Sequence, residues 1–148
     1  MEMSFRWYGH DDPVTLANIR QIPGMEGIVT AIYDIPVGEV WPLERIKKLQ
    51  ADVEEHGMYI NVIESVPVHE SIKIGRPDRD TYIENYKQTL INLGEAGIPV
   101  VCYNFMPIFD WTRSNLAYEL PDGSNALIFD EEEVNKMGIT IDSITYEK

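Results

Sequence analysis

The chain has 148 residues, 44% hydrophobic and 10% aromatic, enough apolar content for one domain with a buried core and too much for wholesale disorder. With 12 Lys+Arg against 25 Asp+Glu the formal net charge is −13. That balance excludes a general nucleic-acid binder, which needs clustered cations, but leaves room for a small anionic substrate held by a few local arginines.

The N-terminus, Met1-Glu2-Met3-Ser4-Phe5-Arg6, lacks the basic-then-apolar layout of a signal peptide. No run reaches the roughly 18 apolar residues of a membrane span. Cys102 is the only cysteine, so no internal disulfide can form, and a reducing compartment fits. A cytoplasmic protein with no membrane partner is therefore expected.

Met3 to Tyr8 reads as a first strand. Asp12-Pro13 then opens a short helix, as cap and first-turn proline, which ends before Pro23-Gly24. From there a layout repeats three times: Gly27 to Pro36, Gly57 to Pro67 and Gly97 to Pro107 each run from glycine through a short apolar stretch to proline. The glycine suits the left-handed residue closing a helix, the apolar run a strand buried on both faces, and the proline a strand end. Helical stripes lie between the copies. Leu43, Ile46, Leu49 and Val53 form one, entered at Pro42; Ile83, Tyr86, Leu90 and Leu93 form the other, capped by Asp78 or Asp80.

Strands alternating with helices predict an α/β fold with a parallel sheet. The repeat lengths, 31 residues from Pro36 to Pro67 and 40 from Pro67 to Pro107, compare with about 31 per unit in a (β/α)8 TIM-type barrel of ~250 residues. The four units spanning residues 1–111 therefore amount to the N-terminal half of such a barrel. Residues 112–148 read as a long loop with a turn at Pro121-Asp122-Gly123-Ser124, then a short helix starting at Asp130 and ending at Gly138, then a tail that is an edge strand or frayed.

In parallel α/β folds sites form at the carboxyl ends of strands. Those positions hold Arg6, Trp7 and Tyr8; Tyr33 and Asp34; Glu64, Ser65 and His69; and Tyr103, Asn104, Phe109, Asp110, Trp111 and Arg113. Aromatic, amide and charged groups on one face suit a polar, multi-hydroxyl ligand. Plainer readings stand beside these: a surface ion pair for Arg6 and a solvated loop for His69; of the weaker candidates His10 and His56, His56 beside Gly57 reads as a favourable helix C-terminal residue. Cys102, among Val100, Val101 and Tyr103, reads as core, and Asp130 to Glu133 as a solvated helix start. No G-x-G-x-x-G, P-loop, G-x-S-x-G or H-x-x-x-H occurs, and no metal-ligand set is visible, so spacing alone assigns no chemistry.

Several strings together closely resemble mannonate dehydratase: Phe5-Arg6-Trp7-Tyr8-Gly9; Tyr33-Asp34-Ile35-Pro36-Val37-Gly38-Glu39-Val40-Trp41-Pro42; Val62-Ile63-Glu64-Ser65-Val66-Pro67-Val68-His69-Glu70; and Val101-Cys102-Tyr103-Asn104-Phe105-Met106-Pro107 through Arg113. The resemblance covers Met3 to Asp130. It implies a barrel related to the xylose-isomerase-like barrels. The implied activity is metal-dependent dehydration of D-mannonate to 2-keto-3-deoxy-D-gluconate in hexuronate (glucuronate) breakdown, with manganese or iron. The family's metal ligands come from the second half of the barrel and none maps onto these 148 residues. Arg6, Trp7, Tyr8, His69, Asn104, Trp111 and Arg113 are accordingly expected to bind a small-molecule sugar acid, and no catalytic residue is assigned.

A half-barrel leaves sheet edges open, which predicts pairing, and a homo-oligomer is expected. Two other readings stay open: a metal-dependent sugar isomerase or epimerase on the same barrel type, and an inactive half-barrel binding module. The chain by itself is expected to be inactive.

Overall fold

The computed structural model describes residues 2–106 and 113–136. The chain divides into two compact units, residues 1–105 and 106–148.

The first unit is built on a four-stranded, all-parallel sheet in the order β1 (Ser4–Arg6), β2 (Gly27–Thr30), β3 (Tyr59–Ile63), β4 (Val100–Val101). Sequential strands are neighbours, and helices fill every connection, as parallel pairing requires. Those helices are α1 (Leu16–Ile19), α2 (Leu43–Glu54), α3 (Glu70–Lys73) and α4 (Arg79–Glu95).

The core follows the apolar stripes. Ile46, Leu49 and Val53 of α2 are buried against Ile28, Ile60 and Ile63 of the sheet, together with Leu16 and Ile19 of α1, Leu93 of α4, and Trp7 and Trp41 from the loops. Trp41 is also clamped through its backbone. Thr89 Oγ1 accepts its N–H at 3.1 Å, and Asn92 Nδ2 donates to its carbonyl at 2.8 Å. Asn85 Nδ2 donates to the Gly38 carbonyl at 2.8 Å. Residues 85, 89 and 92 share one side of a helix, so α4 docks by satisfying a loop's peptide groups. The expected stripe of Ile83, Tyr86, Leu90 and Leu93 is corrected accordingly: Leu93 is core, whereas Leu90 is exposed.

Other expectations change in detail. Thr15, not Asp12, caps α1, exchanging hydrogen bonds with Asn18, while the Asp12 carboxylate accepts the backbone N–H groups of Tyr8 and Val14. Gly57 and Gly97 are left-handed (φ +70 and +78) and follow α2 and α4 as expected. Gly27 is different: it has no positive φ, and a Cβ there would come within 2.6 Å of both Asn61 Nδ2 and Ser4 Oγ. Close packing between strands, not helix closure, requires glycine at that position. Cys102 is exposed rather than core. Its N–H still donates to the Ile63 carbonyl at 2.8 Å, but β4 pairs only through Val100–Val101 at the edge of the described sheet.

In the second unit the segment read as a long loop contains an antiparallel hairpin, β5 (Asn115–Glu119) and β6 (Asn125–Ile128). The turn is set by Asp122, whose Oδ1 accepts from Ser124 N and Oγ, and by Gly123 at φ +82. Those two bonds hold the Asp122 carboxyl below its ordinary value. The acidic α5 (Glu131–Lys136) follows, with Asp130 Oδ1 accepting Glu133 N–H at 3.1 Å. Gly138 and the tail expected from residue 139 onward lie outside the described residues.

Candidate functional site at the strand carboxyl ends

Arg6 ends β1, and side chains alternate along the chain there, so Arg6 and Tyr8 share one side while Trp7 takes the other. Trp7 is 2% exposed, lies in the core, and meets His10 edge-on at 5.1 Å. The structure thus places this expected ligand-binding residue in packing, and the alternation explains it.

The Arg6 guanidinium joins three strand ends. Its Nη1 donates to Tyr33 Oη at 2.8 Å and to the Trp7 carbonyl at 3.2 Å, with Val29 O at 3.5 Å. Its Nε lies 3.9 Å from Glu64 Oε2 just beyond β3, and its plane sits over the Tyr8 ring at 4.5 Å. A cation flanked by tyrosines and half withdrawn from water keeps its direction better than a surface arginine does. Tyr33, beyond β2, is itself held by its neighbour: Asp34 takes a two-point ion pair from Arg45 of α2 at 3.0 and 3.1 Å. The Arg45 hydrogen bond is the main reason the Asp34 carboxyl titrates below its ordinary 3.8.

His69 is placed elsewhere. It precedes α3, its Nδ1 accepts the Ser71 N–H at 3.1 Å, and its ring stacks on Tyr82 with centroids 3.5 Å apart. Gly38 allows that stack, since a Cβ there would meet the Tyr82 ring at 2.6 Å and His69 Cδ2 at 2.9 Å. Asn104 is exposed beyond β4, Arg113 is half-buried in the second unit, and Trp111, with Phe109 and Asp110, lies outside the described residues. Of the seven expected residues, then, Arg6 and Tyr8 are brought together. Tyr33 and Glu64, both singled out in the sequence as strand-end groups but not among those seven, complete their cluster.

A cavity of about 180 Å³ elsewhere in this unit is lined by Trp7, His10, Asp12, Asp52 and His56 among others. Its polar groups serve each other: His10 Nε2 meets Asp52 Oδ2 at 3.1 Å, and His56 Nδ1 meets the Asp52 carbonyl at 2.9 Å. Among the described residues no three His, Cys, Asp or Glu side chains converge as a metal ion requires. The described residues therefore do not fit a resident metal.

Parallel strands alternating with helices, with charged and aromatic groups at their carboxyl ends, define four units of a (β/α)8-type barrel. A profile of the D-mannonate dehydratase (UxuA) family matches residues 1–145, and the chain belongs to that family. Mannonate dehydratase of Streptococcus uberis is 72% identical over 137 residues, which are 93% of this chain and 39% of that relative. A Streptococcus agalactiae mannonate dehydratase is 69% identical with the same coverage. The crystal structure of mannonate dehydratase from Streptococcus suis serotype 2 superposes with a TM-score of 0.83 at 61% identity, over 97% of this chain and 40% of that one. The chain thus spans about two fifths of the length of the relatives it matches. No helix among the described residues is long and apolar enough to cross a membrane.

Proposed function

We propose that the natural protein carrying this chain is a hydro-lyase that converts D-mannonate to 2-keto-3-deoxy-D-gluconate and water in hexuronate breakdown. The reaction removes the proton α to the carboxylate and the hydroxyl β to it, so the substrate carboxylate and hydroxyls must be held while charge develops beside them. The observation that carries the reading in this chain is Arg6, fixed at the end of β1 by Tyr33 and Glu64. Such a guanidinium matches a carboxylate or a pair of hydroxyl oxygens. Tyr8 and Asn104 supply further contacts in this proposal, and Arg113 and Trp111 remain candidates from the remainder of the chain.

A divalent metal, manganese or iron, is part of the proposal as a requirement of the whole enzyme, with ligands expected outside these residues. A cytoplasmic homo-oligomer is proposed as well, from the single cysteine and from the sheet edges a half-barrel leaves. The test is to supply the full natural protein with D-mannonate and added manganese and to follow keto-acid formation. Keto acid in stoichiometric yield supports the reading; aldose–ketose interconversion without it would overturn the reading in favour of an isomerase. The 148-residue chain alone, covering two fifths of its relatives, is expected to give no product.

A further inference from the structure

The Arg6 cluster contains a donor whose role goes beyond holding the arginine. Tyr33 is 52% exposed, yet its hydroxyl is bonded, its ring lies close against Gly9, and the residue after it is anchored. Gly9, at φ +92, leaves room against the ring: a Cβ there would lie 3.1 Å from Tyr33 Cδ2. Arg6 Nη1 donates to the hydroxyl at 2.8 Å. The two-point Asp34–Arg45 pair anchors the next residue to α2. An exposed tyrosine needs none of this to be stable, whereas a side chain that must meet a ligand in one geometry does.

The hydrogen-bond chemistry sets a direction. The guanidinium can only donate, so the Tyr33 oxygen is the acceptor in that bond. Its own proton is then left to donate, and among the described residues no acceptor is bonded to it. The hydroxyl lies beside a cation at the carboxyl end of the sheet, so the acceptor it suits is an electron-rich oxygen that the same cation attracts, a carboxylate or hydroxyl of a sugar acid.

We infer that Tyr33 is a substrate-contacting specificity residue, donating its hydroxyl proton to an oxygen of the sugar acid, and that Arg6 acts on it as a positioning residue while Asp34 and Arg45 fix the segment. This rests on the sugar-acid reading above. It adds Tyr33 to the groups that touch substrate, and gives Arg6, besides the contact proposed for it above, the task of setting that donor's direction.

The experiment uses the full natural protein, with D-mannonate and manganese, as parent, Tyr33→Phe, Arg6→Lys and the double variant. Tyr33→Phe keeps the ring against Gly9 and removes one neutral donor. It is expected to raise KM about tenfold, near the upper range for one hydrogen bond, with kcat within about threefold and the melting temperature unchanged. Arg6→Lys keeps the charge but loses the rigid plane that puts Nη1 on Tyr33 and the carbonyls while Nε faces Glu64, and its KM effect is expected to shrink in the Tyr33→Phe background. Equilibrium binding of D-mannonate, measured alongside, reads the contact without turnover. A parent that turns over or binds D-mannonate while Tyr33→Phe keeps KM and Kd within twofold would overturn the Tyr33 assignment alone. If Tyr33→Phe is impaired but the two variants are strictly additive, the positioning role of Arg6 fails. A parent that neither binds nor converts D-mannonate overturns the underlying reading, and this inference with it.

Discussion

Trp41 is held through its peptide group as well as by the burial of its ring. Thr89 Oγ1 is the acceptor for its N–H, and this bond crosses between a loop and α4. Thr89→Val keeps the shape and leaves that buried N–H unpaired, so a loss of about 1–3 kcal/mol is expected in urea unfolding, with Thr89→Ser recovering most of it. Asp34 gives a pH signature. Its pKa is depressed in the folded chain, so its contribution is fully present above the ordinary 3.8 and is lost as pH falls through the lower folded value. Asp34→Asn should therefore cost stability at neutral pH, with the gap to the parent closing below about pH 4. The effect is small because the pair is largely exposed.

Three glycines begin the repeated units, yet they stand for two different physical requirements. At Gly57 and Gly97 the backbone is left-handed, and alanine is expected to cost about 1–2 kcal/mol through conformation alone. At Gly27 the obstacle is side-chain contact, so Gly27→Ala is expected to cost about 1–3 kcal/mol through overpacking. Pairing it with Ser4→Gly and Asn61→Ala should recover part of the loss, which thermal melting of the four proteins would show; no such rescue is expected at Gly97, where a Cβ meets nothing within 4 Å. The elements that composition pattern revealed are those with one buried face: Ile46, Leu49 and Val53 mark α2 because they enter the core. The hairpin of β5 and β6 was not legible as strands because every residue of β5 is exposed, and a strand with no buried side has no alternation to display. Only its turn, Asp122-Gly123, was written in residue types. The polar face of α4 was hidden for a related reason: Asn85, Thr89 and Asn92 are defined by the loop carbonyls and N–H groups they meet, which no helical period reports.

The first unit carries an apolar hollow of about 200 Å³ lined by Val68, Ile72, Ile83, Tyr86, Tyr103 and Phe105, close in sequence to the edge strand β4. Tyr103 and Phe105 are exposed there, and Val100 is exposed on β4 itself. A strand edge unpaired among the described residues, together with apolar surface, favours association, and the charge of −13 opposes it. The 148-residue chain prepared alone is expected to associate reversibly as salt is raised and repulsion is screened, read by sedimentation velocity. Val100→Lys should reduce the association by placing a charge at the edge; an unchanged sedimentation profile would exclude β4 as the contact.

The sequence by itself determined the alternation of strands and helices, the parallel sheet, the buried stripe of α2 and the location of candidate groups at strand ends. Each of these is a local consequence of residue type and period, and the long strings at those ends were specific enough to indicate the family. Tertiary structure decided which strand-end groups meet. Trp7 and Arg6 are neighbours in sequence, but the pleat sends one into the core and the other to Tyr33 and Glu64. His69 stood at an equally promising position and was taken up as a helix cap stacked on Tyr82. A side chain's partner depends on distances between segments far apart in the chain, and those distances exist only once the sheet has formed.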